Sequence, residues 1–345
     1  MTTNSLQRLC LMVFAGLSVS VAGGGVGRAV EPPADTGPSA VVATVGSVPI
    51  LRAELDAVLQ RVGSVGPDAS AVNRPVQVQA AAIEQLIDQR LLRAEIDREG
   101  IVVGAAEIDA ALGRLRAQMT ARGVEWMAFL AKTGRDEEFL REQIALELGL
   151  DKLIKPLLRA DAVEAAFAKH RREVDGTRLR VSHVVLRPDV GRGDEAVQDC
   201  LRQAEQIRGS IVRGEVSFAA AARRHSVGPS RLQAGDLGWI TRRAPCIEEF
   251  NRAAFALAKG DISQPFTTPY GVHLVTVTDA EPGRLGLDAV RPQIESMLAA
   301  DILRERIARA RSATTIEYAP GVPHFDPAAP AGPGQPRRVV VEPAG

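Results

Sequence analysis

The sequence predicts an α+β fold, and two observations lead to this class. Two short apolar stretches alternate in the manner of β-strands, and each carries a histidine, His183 in the first and His273 in the second. The parts of the chain before and after this centre instead repeat apolar residues at the helical period. Because side chains alternate across a strand, each histidine shares a face with apolar valines. We therefore expect strands in the centre and helices at both ends.

The bulk composition excludes some classes of function. The chain has 345 residues, which is long enough for two domains, and its 42 acidic and 42 basic side chains leave no net charge. Nucleic-acid binding would need a basic patch or stripe, and none is evident. Attraction to a membrane surface by charge has no support either.

The first 29 residues differ from the rest of the chain. Arg8 precedes an apolar run over residues 9–17, and small residues follow this run. The pattern predicts a secretory signal peptide over residues 1–29, with cleavage after Ala22 or after Ala29. It places the protein in the periplasm or cell envelope, with no stable membrane span after cleavage. A retained anchor is the alternative, although the run is short for a span of about 20 apolar residues.

Two cysteines, Cys200 and Cys246, remain after removal of this segment. In an oxidising compartment the two would be able to pair. Two separate thiols are an equally good interpretation, because two cysteines do not make a disulfide framework in a domain of this size. The sequence leaves the pairing open.

Residues 40–160 carry the helical period, after a short extended piece at residues 42–50. Amphipathic helices bury their apolar stripes against one another, which predicts a helical domain. The strongest stretch ends at Gly100, a residue suited to a helix C-terminus. Its apolar positions are Ile83, Leu86, Ile87, Leu91 and Ala94.

Three further segments complete the outer parts of the chain. Asp161 and Glu164 have the spacing of a capping box and predict the start of a linker helix over residues 161–176. Residues 284–318 contain an amphipathic helix, which needs a partner for its apolar stripe. Residues 319–345 are rich in Pro, Ala and Gly and predict a disordered tail.

The centre of the chain carries motifs between the two histidines. Residues 235–239 read Gly-Asp-Leu-Gly-Trp, Phe250 follows, and residues 260–263 read Gly-Asp-Ile-Ser. With the histidine strands, this order resembles a parvulin-type (PpiC) peptidyl-prolyl cis-trans isomerase domain over residues 177–281. The resemblance implies a small antiparallel sheet surrounded by helices.

The N-terminal half resembles the helical chaperone region of SurA-type and PrsA-type proteins. Residues 45–50 fit the opening Val-Gly-x-x-Pro-Ile, and residues 86–92 read Leu-Ile-Asp-Gln-Arg-Leu-Leu. The resemblance implies an all-α chaperone domain built from N- and C-terminal segments, with the helix of residues 284–318 packed on the N-terminal region. An unrelated helical bundle is the alternative interpretation.

An isomerase of this kind accelerates rotation about X–Pro bonds, which is slow because of a barrier of about 18–20 kcal/mol. It needs neither a nucleophile nor a metal, so we expect no cofactor. The resemblance implies catalytic roles for His183 and His273, with Thr268 as the hydroxyl that hydrogen-bonds to His273. Substrate contacts are implied for Leu237, Cys246, Phe250, Tyr270 and Ser226.

One catalytic position departs from the family pattern. The residue usually found there is Asp or Cys, and in this chain it is Gly228. Glycine has no side chain to polarise a carbonyl, and no acid or thiol lies between Ser226 and Ala234. A serine at position 226 or 230 would bring a hydroxyl nearby. The isomerase activity is therefore expected to be weak.

Alternatives remain for the site and for the function. The alternative role for His183 and His273 is structural, since hydrogen-bonded histidines with fixed tautomers brace a sheet. A zinc site including His225 and Cys246 would need a close ligand pair, which the sequence lacks. The expected partners are unfolded or newly exported polypeptides containing X–Pro bonds. A holdase that binds such chains without isomerising them is the alternative function, and an envelope scaffold is a third.

Overall fold

The computed structural model describes residues 37–63, 76–133, 135–326 and 339–341. The predicted signal peptide lies outside the described residues. No described helix combines the length and the apolar character that crossing a bilayer requires. The observed mixture of helices with small antiparallel sheets confirms the α+β class.

The N-terminal region begins with a β-hairpin. Strand β1 (Val41–Val45) pairs antiparallel with β2 (Val48–Leu51), and Gly46 turns the chain between them with φ of 61°. A third strand, β7 (Ile316–Tyr318), pairs with the other edge of β1. The expectation of an all-α region is therefore wrong in this detail. A lone hairpin is marginally stable in water, and β7 supplies the third strand that it needs.

Five helices follow the hairpin, and their bounds agree with the helical periodicity of the sequence. They are α1 (Arg52–Gly63), α2 (Val76–Arg98), α3 (Ala105–Ala121), α4 (Trp126–Thr133) and α5 (Glu137–Ile154). Helix α2 is the centre of this region, with eleven buried residues. Beyond its end, Gly100 has φ of 66°, the left-handed conformation that suits glycine at a helix C-terminus.

The next helix, α6 (Ala160–Val174), agrees with the predicted linker helix to within two residues, but the predicted capping box is absent. The N-cap is Arg159, which makes no side-chain capping bond. The Asp161 carboxylate instead accepts two hydrogen bonds from the Arg159 guanidinium, at 3.1 and 3.0 Å. Because this ion pair engages the carboxylate, it does not cap the helix.

Helix α10 (Leu287–Ala313) runs from the linker helix back to the N-terminal helices. Near its start, Val290 and Ile294 pack with Val163 and Ala166 of α6 in one apolar cluster. Further along, Leu303 is buried with residues of α2 and α5. The C-terminal helix therefore packs on the N-terminal region, which is the partner that its amphipathic pattern required.

The central segment forms a four-stranded antiparallel sheet in the order β4-β3-β6-β5. Its strands are β3 (Arg178–Leu186), β4 (Asp236–Thr241), β5 (Phe266–Thr268) and β6 (Gly271–Glu281). Helices α7 (Gly193–Val212) and α8 (Phe218–His225) cover one face, and α9 (Glu248–Phe255) covers the other. The alternation of β3 assigns Val184 to the first face and Val181 to the second.

The chain enters and leaves this sheet domain at one point, which we call the neck and define by Asp175, Thr177, Gly283 and Leu285. The Thr177 hydroxyl accepts a bond from the Gly283 amide at 3.0 Å, and the Leu285 amide donates to the Asp175 carbonyl at 3.0 Å. A Cβ atom at position 283 would lie 2.1 Å from that carbonyl oxygen. The close approach of the two segments therefore requires glycine.

Part of the tail is folded, contrary to the disorder predicted for residues 319–345. Strand β8 (His324–Phe325) pairs with β9 (Val339–Val340). The buried His324 ring stacks on Tyr318 with a centroid distance of 3.8 Å. The disorder prediction rested on composition, and Pro, Ala and Gly outnumber the apolar and aromatic residues that make these contacts. Residues 327–338 and 342–345 lie outside the described residues.

Candidate functional site

Two neighbouring strands bring the predicted histidine pair together. In the ladder between β3 and β6, His183 lies opposite Val275 and Val185 lies opposite His273. The two histidines are thus diagonal neighbours on one face of the sheet. Their ring centroids are 5.6 Å apart.

An aromatic floor supports both imidazoles. The Phe250 ring, on α9, meets His183 and His273 edge-on, each with a centroid distance of 5.9 Å. Phe266 stacks on His273 at 5.5 Å. Phe250 is 4% exposed, so its ring is buried beneath the two imidazoles, and we call the site around the histidine pair and Phe250 the cleft.

Each imidazole has one hydroxyl partner. The His273 Nε2 atom lies 2.8 Å from Oγ1 of Thr268, as the family resemblance implied. The backbone amide of Tyr270 also donates to this hydroxyl, at 3.1 Å. The His183 Nε2 atom lies 2.8 Å from Oγ of Ser230. Sequence reasoning named position 230 only as a possible nearby hydroxyl, and the one available signal was its place two residues after Gly228.

Burial keeps both histidines neutral. Desolvation lowers the pKa of His183 to about 4. The pKa of His273 is also lowered to about 4, by desolvation first and by the nearby His183 second. Both Nδ1 atoms are buried and have no hydrogen-bond partner among the described residues. At neutral pH the pair therefore consists of two uncharged rings, each anchored through Nε2.

Gly228 faces the histidine pair. A Cβ atom built on it would lie 3.4 Å from Nε2 of His183 and 2.9 Å from Cγ1 of Val185. Its φ of −76° and ψ of 157° are open to any residue, so the backbone does not demand glycine here. The position that the family pattern fills with Asp or Cys thus lies beside the cleft without a side chain.

Leu237 and Cys246 flank the aromatic floor. Both are partly buried against the apolar cluster that contains Phe250. The Asn251 side-chain amide donates to the Cys246 carbonyl at 2.7 Å, which holds this rim segment on α9. Burial raises the pKa of the Cys246 thiol, so it is a neutral, apolar wall. Tyr270 is 65% exposed and stands at the outer edge.

Ser226 does not reach the cleft surface, which contradicts its predicted substrate contact. Its side chain is buried, and its Oγ accepts bonds from the Val185 amide at 3.1 Å and the Gly228 amide at 3.4 Å. Because backbone donors engage this hydroxyl, Ser226 supports the loop from below.

Among the described residues, neither the cysteines nor the side chains of metal-binding type form a second functional site. Cys200 and Cys246 are both free, and they pack in apolar clusters on opposite faces of the sheet. In the part of the chain that the structure describes, no group of three or more His, Cys, Asp or Glu side chains could hold a metal ion.

Two family models match the chain. Residues 183–279 match the PPIC-type PPIase domain, and residues 1–154 match the SurA-like N-terminal domain. The chain is therefore similar to both kinds of domain in different segments. The PPIC-type match begins at the first histidine of the pair and includes the second, so both histidines lie in the matched segment.

Curated relatives of both kinds match the chain. The chain is 23% identical over 290 residues to "Chaperone SurA" of Alkalilimnicola ehrlichii, covering 80% of this chain and 66% of the relative. It is 26% identical over 229 residues to "Foldase protein PrsA" of Bacillus subtilis, covering 66% of this chain and 68% of the relative. The chain spans 58% of the SurA of Photobacterium profundum. A PrsA crystal structure from Bacillus anthracis has 20% identity and a TM-score of 0.37, with 67% of this chain and 96% of that chain covered.

Proposed function

We propose that the chain is an exported peptidyl-prolyl cis-trans isomerase joined to a chaperone region. One observation carries the proposal: the PPIC-type domain holds two neutral histidines over Phe250, with a hydroxyl on each ring. The chemistry requires no covalent step. It requires a cleft that binds the twisted X–Pro amide better than the planar one.

The proline ring of the substrate would rest on Phe250, between Leu237 and Cys246. A planar amide is more polar than a twisted one, so a dry, apolar cleft disfavours the planar ground state. The neutral imidazoles fit this role because they bring no charge into the cleft. Thr268 would keep the ring of His273 in place while the bond rotates.

The clients would be unfolded or newly exported polypeptides that contain X–Pro bonds. The SurA-like N-terminal domain supports this class, as do relatives named as a chaperone and as a foldase. The leader-like residues 1–29 support export to the periplasm or cell envelope. N-terminal sequencing of protein recovered from an envelope fraction tests export, with cleavage expected after Ala22 or after Ala29.

A proline-limited refolding assay tests the activity. We expect the wild type to accelerate the slow phase and His183→Ala to lose most of that acceleration. His225→Ala, a histidine of the same domain outside the cleft pair, is the matched control and should keep the wild-type rate. Equal rates for both variants would contradict a role for the cleft.

Gly228 supports a second function, a holdase that binds clients without isomerising them. The same protein preparation distinguishes the two when it is added to an aggregating client. Suppressed aggregation with no acceleration of the proline-limited phase would favour the holdase. Acceleration that depends on His183 favours the isomerase.

A further inference from the structure

The helix that carries Phe250 is held at its N-terminal end by an arginine that also reaches the linker helix. Arg242 lies between β4 and α9, and its Nη1 and Nη2 atoms donate to the two carboxylate oxygens of Glu248, the first residue of α9, at 2.6 Å each. Its Nε atom donates to Oε2 of Glu173 on α6, at 3.0 Å. The Arg242 side chain is only 19% exposed, so salt in the solvent screens this bridge less than an open surface pair.

The C-terminal end of α9 is held by the preceding residue of the linker helix. The Arg172 guanidinium donates to the carbonyl of Leu257 at 2.8 Å. Leu257 lies just beyond α9 and packs in the same apolar cluster as Phe250. A cation is favourable at this end of a helix, where carbonyl groups have no partner within the helix. Two consecutive residues of α6, Arg172 and Glu173, therefore hold opposite ends of α9.

Beside these contacts, the linker helix is fastened to α10. The Nδ1 atom of His170 lies 2.8 Å from Oε1 of Glu173, and its Nε2 atom lies 3.3 Å from Oδ2 of Asp301 on α10. Glu173 thus uses one oxygen for His170 and the other for Arg242, so a continuous chain of polar contacts runs from α10 to α9. Helix α6 itself lies between the two segments that match the family models.

We propose that α6 sets the position of the cleft floor, with Arg172 and Glu173 as positioning residues that act through α9 on Phe250. Phe250 lies two residues after Glu248, so a movement of this end of the helix also moves its ring. The cleft therefore depends on a helix outside the sheet domain. The consequence for the substrate rests on the proposed isomerase function, whereas the consequence for Phe250 does not.

Proton NMR of the histidine rings in the full chain tests the position of Phe250 directly. Phe250 meets both imidazoles edge-on, so its ring current acts on their carbon-bound protons. In Glu173→Ala and in Arg172→Ala, we expect these signals of both cleft histidines to shift. Glu164→Ala is the matched control, because Glu164 is an exposed glutamate of the same helix that forms no ion pair with a described residue. It should leave the signals unchanged.

Isomerisation of a proline-containing peptide gives the second measurement. Phe250 would support the proline ring whether the amide is planar or twisted, so a displaced floor weakens both states alike and raises KM with little change in kcat. We expect Glu173→Ala to raise KM by about 3- to 10-fold, the factor that one lost hydrogen bond produces. A variant that merely contained less folded protein would instead lower kcat and keep the wild-type KM. Glu164→Ala should match the wild type in both constants.

A double variant tests whether Glu173 acts through the bridge. Arg242→Met alone should also raise KM, because it releases α9 from α6. In that background Glu173→Ala should add no further increase, since the contact that it would remove is already lost. Two increases that multiply would overturn the route through Arg242.

The outcomes separate this inference from the proposed function. Unchanged histidine signals in both Glu173→Ala and Arg172→Ala would overturn the positioning role of α6. Shifted signals with an unchanged KM would overturn its consequence for the substrate. A wild type that does not isomerise the peptide would refute the proposed function, and the histidine signals would still decide whether α6 positions Phe250.

Discussion

Adding a side chain at Gly228, beside the cleft, should destabilise the domain. The opposite effect is usual for a glycine with an ordinary backbone conformation. Replacing glycine by alanine normally stabilises by about 0.4–1 kcal/mol, because the unfolded chain loses freedom. At Gly228, however, the new methyl group would lie 2.9 Å from Cγ1 of Val185, which is closer than carbon atoms approach. Overpacking of this kind costs about 1–3 kcal/mol. We expect Gly228→Ala to lower the free energy of unfolding by about 1 kcal/mol net.

A second substitution tests whether Val185 is the cause. Val185→Ala alone should cost about 2 kcal/mol, because it removes two buried methyl groups worth about 0.8 kcal/mol each and leaves a small cavity. In that background the methyl group of Gly228→Ala occupies the vacated space. The double variant should therefore be more stable, by about 1 kcal/mol or more, than the sum of the two single effects.

Urea unfolding measures these differences. The chain has two tryptophans, so a Trp126→Phe background leaves Trp239 of β4 as the reporter of the sheet domain. Gly209→Ala in α7 is the matched control: its Cβ would meet only the flexible end of Arg213, so it should stabilise by about 0.5–1 kcal/mol. The steric argument fails if Gly228→Ala stabilises the domain as this control does, or if its effect is the same with Val185 and with alanine at position 185.

Two other predictions concern charge. The pKa values of His183 and His273, about 4 in the folded state, lie below the ordinary 6.5, so the unfolded chain binds protons first as the pH falls. Stability should be complete above pH 6.5 and fall by about 3 kcal/mol for each of the two histidines as the pH falls from 6.5 to 4; a urea midpoint that is constant over this range would contradict the burial of neutral rings. Arg311→Met should cost about 3 kcal/mol in thermal or urea unfolding, because it leaves the buried Glu84 carboxylate without the guanidinium that lies 2.9 Å from it. A loss below 1 kcal/mol would mean that solvent screens this ion pair.

Much of the fold followed from the sequence because its signals are local. Alternation around His183 and His273 predicted two strands, and the ladder between β3 and β6 explains why both rings share one face. The helical period around Ile83 predicted α2 for a similar reason, since one buried stripe defines it. Thr268 was predictable from the family spacing, and its bond to His273 lies within one hairpin.

The features that were missed depend on contacts that no local pattern records. Strand β1 completes its sheet with β7, which lies at the other end of the chain, so the all-α expectation failed there. Ser226 and Ser230 cannot be told apart from the sequence. Only the loop geometry decides that the Ser226 hydroxyl bonds to backbone amides and the Ser230 hydroxyl bonds to His183. The same loop ends at Ala234, a non-glycine residue with φ of 58°, which the sequence gives no reason to expect.

Because the neck brings its two chain ends together, the sheet domain is a self-contained insertion between helices α6 and α10. Its two ends are joined by two hydrogen bonds of 3.0 Å, from the Gly283 amide to the Thr177 hydroxyl and from the Leu285 amide to the Asp175 carbonyl, so the chain leaves the helices and returns to them at one place. Closing so short a gap costs little loop entropy, and a tight turn in place of the whole domain would span it. Helices α6 and α10 would still meet along their shared apolar stripe. Gene rearrangement could thus insert, remove or duplicate this domain in a helical host without disturbing the host's core.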